Sequence, residues 1–233
     1  MDQSQLELLR AQYHDYFAVE QSVLANIRPL SQALPDEHSF LTMIPEPFLM
    51  ASEQAVLDRS ALKSLTKLGD FAEELALYLR AQAKKLDMMM RYVLIQQDDP
   101  TYRQHTHSFG GSALNFISAN DMTIGQTLEV KLFLSGSDGA VYFLATVLQS
   151  ELMPLSNDQS ADTSATADTE ADTSTDVRTA QATETNNTTQ FMVQAVVSRI
   201  RDEDRETLVR ASLHEQSRQL KRKAQQRQLQ GKE

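Results

Sequence analysis

The sequence predicts an α+β fold, with antiparallel strands, one long helix inserted among them and a second helix at the C-terminus. Three observations carry that reading. Several short runs alternate apolar and polar residues. A heptad repeat runs without proline between Pro47 and Pro100. Asp202, Glu203 and Asp204 stand just ahead of a last apolar stripe, where acids favour the start of a helix.

The chain has 233 residues, of which 41% are apolar, enough for one elaborated domain or two small ones. It has no Cys, which excludes a disulfide framework, thiolate metal sites and a Cys nucleophile. Met1 to Gln5 lacks the basic head and apolar run of a signal peptide. No stretch approaches the ~20 apolar residues of a membrane span. A cytoplasmic protein without a membrane span is expected. The net charge of −10 argues against nucleic acid as a partner of the whole chain.

That charge is unevenly spread. Ser156 to Gln190 holds seven acids and one base, Arg178, a net of −6. Gln216 to Lys232 holds six bases and no acid. The charge therefore describes separate parts of the chain.

Gln3 to His14 predicts a short helix on Leu6, Leu8 and Leu9. From Phe17 the period changes to two. Phe17, Val19, Val23, Ala25 and Ile27 mark a half-buried strand ending near Pro29. Pro35, Pro45 and Pro47 disfavour regular structure over Ser31 to Pro47.

Ser52 is the expected N-cap of the long helix, with Glu53 suited to its dipole. With Leu65 at heptad position a, the a positions read Leu65, Ala72, Leu79, Leu86 and Val93. The d positions read Ala61, Leu68, Leu75, Gln82 and Met89. Nine of these ten are apolar, the pattern of a coiled-coil seam. A helix over residues 57–97 is about 60 Å long at ~1.5 Å per residue, more than a small domain spans. The expectation is a homo-oligomer formed through this helix, with Gln82 fixing register. Asp98-Asp99-Pro100 ends it.

Four strand-like runs follow: His105 to Ile117, broken at Gly110-Gly111; Thr127 to Leu134; Ala140 to Leu148, apolar on both faces; and Phe191 to Ile200. Gly136-Ser137-Asp138-Gly139 suits a hairpin turn. Ser156 to Gln190, rich in Thr, Ala and Asp, carries one larger aliphatic residue, Val177, and reads as disordered. Long loops cost little closure entropy, so two strands flanking it still pair. Asp202 is the expected cap of the last helix, with Leu208, Val209, Leu213 and Leu220 as its buried stripe.

Three stretches together resemble the PilZ domain family. Tyr16-Phe17-Ala18-Val19 is similar to the family's aromatic-Arg-Val start of the first strand. Ser108-Phe109-Gly110-Gly111-Ser112-Ala113-Leu114-Asn115-Phe116 resembles its Asp/Asn-x-Ser-x-x-Gly turn. Phe191 to Val197, followed by Ile200-Arg201-Asp202-Glu203-Asp204-Arg205, resembles its last strand and helix start. The resemblance covers about half the chain. It implies a small antiparallel PilZ-like β-barrel with a long inserted heptad helix and a C-terminal helix, similar to a subtype that assembles through such helices.

PilZ domains typically bind cyclic di-GMP through an Arg-x-x-x-Arg pair and the Asp/Asn-x-Ser-x-x-Gly turn. Carried onto this chain, the arginines fall at His14 and Ala18. The turn positions fall at Ser108, Gly110 and Ala113. Every signature position departs. Losing two guanidinium forks removes charge-assisted contacts worth ~1.5–3 kcal/mol each. The resemblance thus implies a non-catalytic oligomeric adaptor with an unidentified protein partner, without a cofactor. The alternative is a cyclic di-GMP receptor with a non-standard site, using Arg10, Arg103 or bases of a neighbouring subunit.

The remaining signals point nowhere sharper. His105 and His107 share a strand face but lack a third ligand, so no metal site is expected. Gly110-Gly111 lacks the Lys of a phosphate-binding loop. No nucleophile–base or paired-carboxylate arrangement marks an enzyme. Met88-Met89-Met90 reads as helix core, and the basic C-terminus as a solvated helix end. The chain thus divides into 1–50 (first helix, first strand and proline-containing loop), 51–99 (long helix), 100–155 (barrel strands), 156–190 (acidic insert) and 191–233 (last strand and basic helix).

Overall fold

The computed structural model describes residues 3–14, 18–53, 71–96, 98–134, 139–153 and 189–230. Period-two alternation becomes a barrel. Its strands are β1 (Val19–Glu20), β2 (Leu24–Pro29), β3 (Arg103–Phe109), β4 (Ala113–Ser118), β5 (Thr127–Phe133), β6 (Ala140–Leu152) and β7 (Phe191–Ile200). The order β3-β2-β5-β6-β7-β4 closes where β4 pairs back onto β3, giving six antiparallel strands without a free edge. β1 pairs only with β3. The helices are α1 (Gln3–His14), α2 (Glu37–Met43), α3 (Phe71–Gln96) and α4 (Asp202–Gln230).

Inward positions of every long strand fill the barrel: Ala25 and Ile27, Leu128 to Leu132 at alternate residues, Phe143 to Val147 likewise, and Val193 to Val197. The expected two-faced strand is β6, and its outer face has its own cover. Phe40 of α2, Ile44, Phe48 and Leu94 of α3 bury Phe133, Tyr142 and Leu144. Phe40 stacks on Tyr142 with ring centroids 6.0 Å apart, and Phe48 meets both Phe133 and Tyr142 at 6.1 Å. The Tyr142 hydroxyl donates to Glu129, which Arg28 pairs from the neighbouring strand. Burial, and then the Glu129 charge, raise the Tyr142 phenol above its usual range.

Several expectations are corrected here. The first strand is not continuous, because residues 21–23 break it between β1 and β2. Thr106 reinforces the two backbone bonds that remain there, Gln21 N to His107 O and Thr106 N to Val23 O: its hydroxyl accepts from Val23 N at 3.1 Å and donates to Gln21 O at 2.8 Å. The stretch Ser31 to Pro47 is not irregular throughout. Its prolines flank helices instead of preventing them. Asp36 caps α2 by accepting from Ser39 N at 2.8 Å, and residues 46–53 are helical with Pro47 in the first turn. Ser52 therefore lies inside a helix and caps none. β6 runs on to Leu152, and β3 starts at Arg103.

The last helix departs most. Asp202 is its first helical residue, not its cap. Of the expected stripe only Leu208 is buried; Val209, Leu213 and Leu220 are exposed. The buried face is Asp204, Thr207, Leu208, Ala211, Ser212 and Glu215, spaced to lie over the barrel mouth. Its polar groups are satisfied locally. Arg201 pairs with Asp204 at 2.9 Å, Thr207 donates to Glu203 O, Ser212 donates to Val209 O, and Arg218 pairs with Glu215 at 3.1 Å.

The expectations for Phe17, Ala61, Leu65, Leu68 and the 136–138 turn lie outside the described residues. So does all of the acidic insert except its last two residues. The strands flanking the insert do pair, from Phe143↔Ile200 to Leu152↔Phe191.

Candidate functional site

Of the positions expected from the resemblance, Ser108, Gly110 and Ala113 lie on one turn and Ala18 beside it, while His14 ends a helix. Ser108 and Phe109 end β3, Gly110 to Ser112 turn the chain, and Ala113 opens β4. Gly110 N donates to Ala113 O at 3.1 Å, closing the turn. Ala18 precedes Val19, which pairs with Phe109, so it sits beside the same strand end. His14 ends α1, whose Tyr13 and Leu9 pack on Ala113, Leu148 and Val196.

What the turn presents is not an arginine clamp. The buried Ser108 hydroxyl accepts from Asn115 Nδ2 at 2.9 Å, and Asn115 Oδ1 accepts from the Tyr13 hydroxyl at 2.9 Å. From the other side, Arg205 of α4 donates to Gly111 O at 3.1 Å. Arg205 is a base that the sequence reading did not single out. Arg10 is exposed on α1. Arg103 lies at the far end of β3, where its guanidinium donates to Ile95 O and Asp98 O, carbonyls at the end of α3. Lys131 pairs with the buried Asp98 at 2.8 Å beside it. Arg103 therefore docks a helix and is directed away from the turn.

The second candidate is the heptad face of α3. Leu94, Ala76 and the partly buried Met90 and Ile95 are the apolar residues it turns inward. The heptad positions point elsewhere: Leu75 is 48% exposed, Leu86 54%, Met89 66% and Val93 44%. Tyr78 and Tyr92 flank the patch, and Leu77 and Met88 are exposed on a different side of the helix, so the methionines are not uniformly core as expected. Gln82 is half-buried, and the Ala72 side chain lies outside the described residues.

His105 and His107 are both exposed on β3. No described helix is long and apolar enough to cross a membrane.

No family model matches the chain, and no curated protein matches it. Among solved structures it is similar to that of a pathogenic protein from Xanthomonas campestris, described as a tetrameric PilZ domain self-assembled via an unusual helical bundle. Identity is 17% and the TM-score 0.42, covering 92% of this chain and 98% of that one. Among the described residues this chain's own topology is a closed antiparallel barrel, with the helix α3 between β2 and β3 in sequence and a C-terminal helix across its mouth. At the turn between β3 and β4 the barrel carries a Tyr13-Asn115-Ser108 hydrogen-bond chain.

Proposed function

We propose that this chain is a non-catalytic regulatory protein of PilZ type that works as a homo-oligomer and presents its barrel to a protein partner in cyclic di-GMP-linked signalling. The exposed heptad face of α3 carries the reading. A row of leucine, methionine and valine at 3.5-residue spacing is left in water while other residues of the same helix hold it to the barrel. Apolar surface of that regularity is stabilised by a matching helix. Ser108, Gly110 and Ala113, with His14 and Ala18, offer no guanidinium, so the nucleotide motif is a vestige. One observation favours the alternative receptor reading: Arg205 already reaches the turn at Gly111.

The test is light scattering after gel filtration, with a calorimetric titration against cyclic di-GMP. The wild type is expected at a multiple of 26.2 kDa, and the Leu86→Glu, Met89→Glu double variant at the monomer mass with unchanged circular dichroism. No heat is expected with cyclic di-GMP. A monomeric wild type at micromolar concentration overturns the oligomer. Saturable micromolar binding that is lost in Arg205→Gln replaces the adaptor by the receptor.

A further inference from the structure

β7 contains a bulge with a chemical consequence. Val193, Ala195 and Val197 point into the barrel, so strict alternation sends residue 199 inside as well. The ladder instead pairs Ala145 with Val197 and Leu144 with Arg199, leaving Ser198 as an extra residue. Directly paired residues share a face, so Arg199 joins Leu144 on the outer side. The bulge keeps a guanidinium out of the core and places it in a cleft.

That cleft is open and about 1070 Å³ in volume. It lies between α1, the loop after β2, the turn before β5 and the outer face of β6 and β7. Arg199 and Arg205 both line it, and among its described lining residues there is no Asp or Glu. Leu30, Leu34 and Ile124 give it an apolar wall. Thr146 and Ser198 place two hydroxyls 2.6 Å apart on its floor. Arg199 Nη1 donates to Ser198 O at 2.9 Å, but its Nε is buried without a hydrogen-bond partner. A buried donor of this kind costs free energy until an acceptor arrives.

Carboxylates stand on the other flank, where Glu37, Asp202 and Glu203 line a neighbouring recess that shares both arginines. Asp36 feels the Arg199 charge, but its carboxylate is engaged by Ser39 at the start of α2. Among the described residues neither Arg199 nor Arg205 is in an ion pair.

We propose that this cleft binds an organic phosphate monoester, its phosphate held by Arg199 and Arg205 and its apolar body lying against Leu30, Leu34 and Ile124. Two guanidinium groups in a cleft whose own described lining holds no carboxylate match a group that carries about −1.5 to −2 charge at neutral pH, the nearest acids facing the adjoining recess. Planar guanidinium forks suit phosphate oxygens, and turning the Ser198 hydroxyl from Val196 O, 3.3 Å away, frees one neutral donor while Thr146 holds Ser198 in place. The volume greatly exceeds a bare anion and falls near that of organic-ligand sites.

The experiment is calorimetric titration of the full chain with octyl phosphate and, separately, inorganic phosphate. Saturable binding of octyl phosphate is expected, roughly tenfold or more tighter than inorganic phosphate and weakened to a similar degree in Arg199→Gln. Arg222→Gln, far along α4, is expected to bind as the wild type does. Circular dichroism checks each variant; should Arg199→Gln fail to fold, Thr146→Val is expected to weaken binding severalfold. Vesicles of phosphatidylcholine with and without phosphatidic acid separate the two sources of the ester. Arg199-dependent sedimentation with phosphatidic acid alone assigns it to a lipid headgroup, and Arg199-dependent binding of free octyl phosphate to a soluble molecule. Binding of neither ester, or binding insensitive to both cleft substitutions, overturns the proposal.

Discussion

Tyr13 donates its phenolic hydrogen to Asn115 Oδ1 at 2.9 Å, tying the last turn of α1 to the middle of β4. Asn115 passes the link to Ser108 on the next strand. A side-chain hydrogen bond of this kind contributes about 0.5–1.5 kcal/mol. Tyr13→Phe is expected to lower unfolding stability by that amount in urea titration. It should also speed hydrogen exchange of α1 while leaving the barrel strands unchanged. Equal exchange in α1 would show that the ring alone holds the helix.

Gly111 and Val209 set the closeness of α4 to the turn between β3 and β4. A Cβ built on Gly111 falls 2.6 Å from Val209 Cγ2, and valine has little rotamer freedom on a helix. Gly111→Ala is expected to destabilise by about 1–3 kcal/mol through overpacking. Adding Val209→Ala should recover part of that loss, so the two changes are non-additive. Additive thermal shifts would place the strain elsewhere.

The two faces of α3 separate folding from assembly. Leu94 is 3% exposed against the outer face of β6, so Leu94→Ala is expected to cost about 2–5 kcal/mol at every protein concentration. Leu86→Ala should instead lower the melting temperature only where the oligomer is populated, since its side chain lies in water in the single chain. Melting curves over a dilution series distinguish the two. A concentration-independent loss in Leu86→Ala contradicts the assembly role.

Asp204 gives the fold a pH signature. Burial raises its carboxyl above the ordinary range, against the lowering pull of Arg201. The folded state therefore holds that proton more tightly than the unfolded chain. The resulting contribution is complete below the ordinary carboxylate range and is lost as pH rises through the folded value. Relative to Asp204→Asn, the wild type is expected to lose stability as pH rises from acid towards neutral. Paired urea titrations across that interval measure the difference, and a rising or flat one rejects the assignment.

Much of the barrel was readable because period-two burial leaves its mark directly. Phe191 to Ile200 and Thr127 to Leu134 match β7 and β5 to within a residue. Apolar residues on both faces of Ala140 to Leu148 announced a strand covered twice, though not by what. The covering helices were hidden because Pro35, Pro45 and Pro47 read as breakers, while a proline before or within a first turn is compatible with helix. The face of α4 was hidden for a different reason. Its buried side includes Asp204, Thr207, Ser212 and Glu215, which hydropathy assigns to solvent. Arg199 was invisible to alternation, since only the bulge at Ser198 sends it outward. The break at Gly110-Gly111 was legible as the turn between β3 and β4. The Tyr13 link was not, because its partners are 102 residues apart.

The ladder between β6 and β7 ends with Met153 N donating to Gln190 O at 2.8 Å, one step past Leu152↔Phe191. The chain leaves and re-enters the barrel at a single clamped point. Each doubling of the length between those ends costs only about 0.6 kcal/mol. Length and composition can thus drift there under selection for other purposes while the barrel stays in register, and a reporter domain grafted at that port inherits the same tolerance.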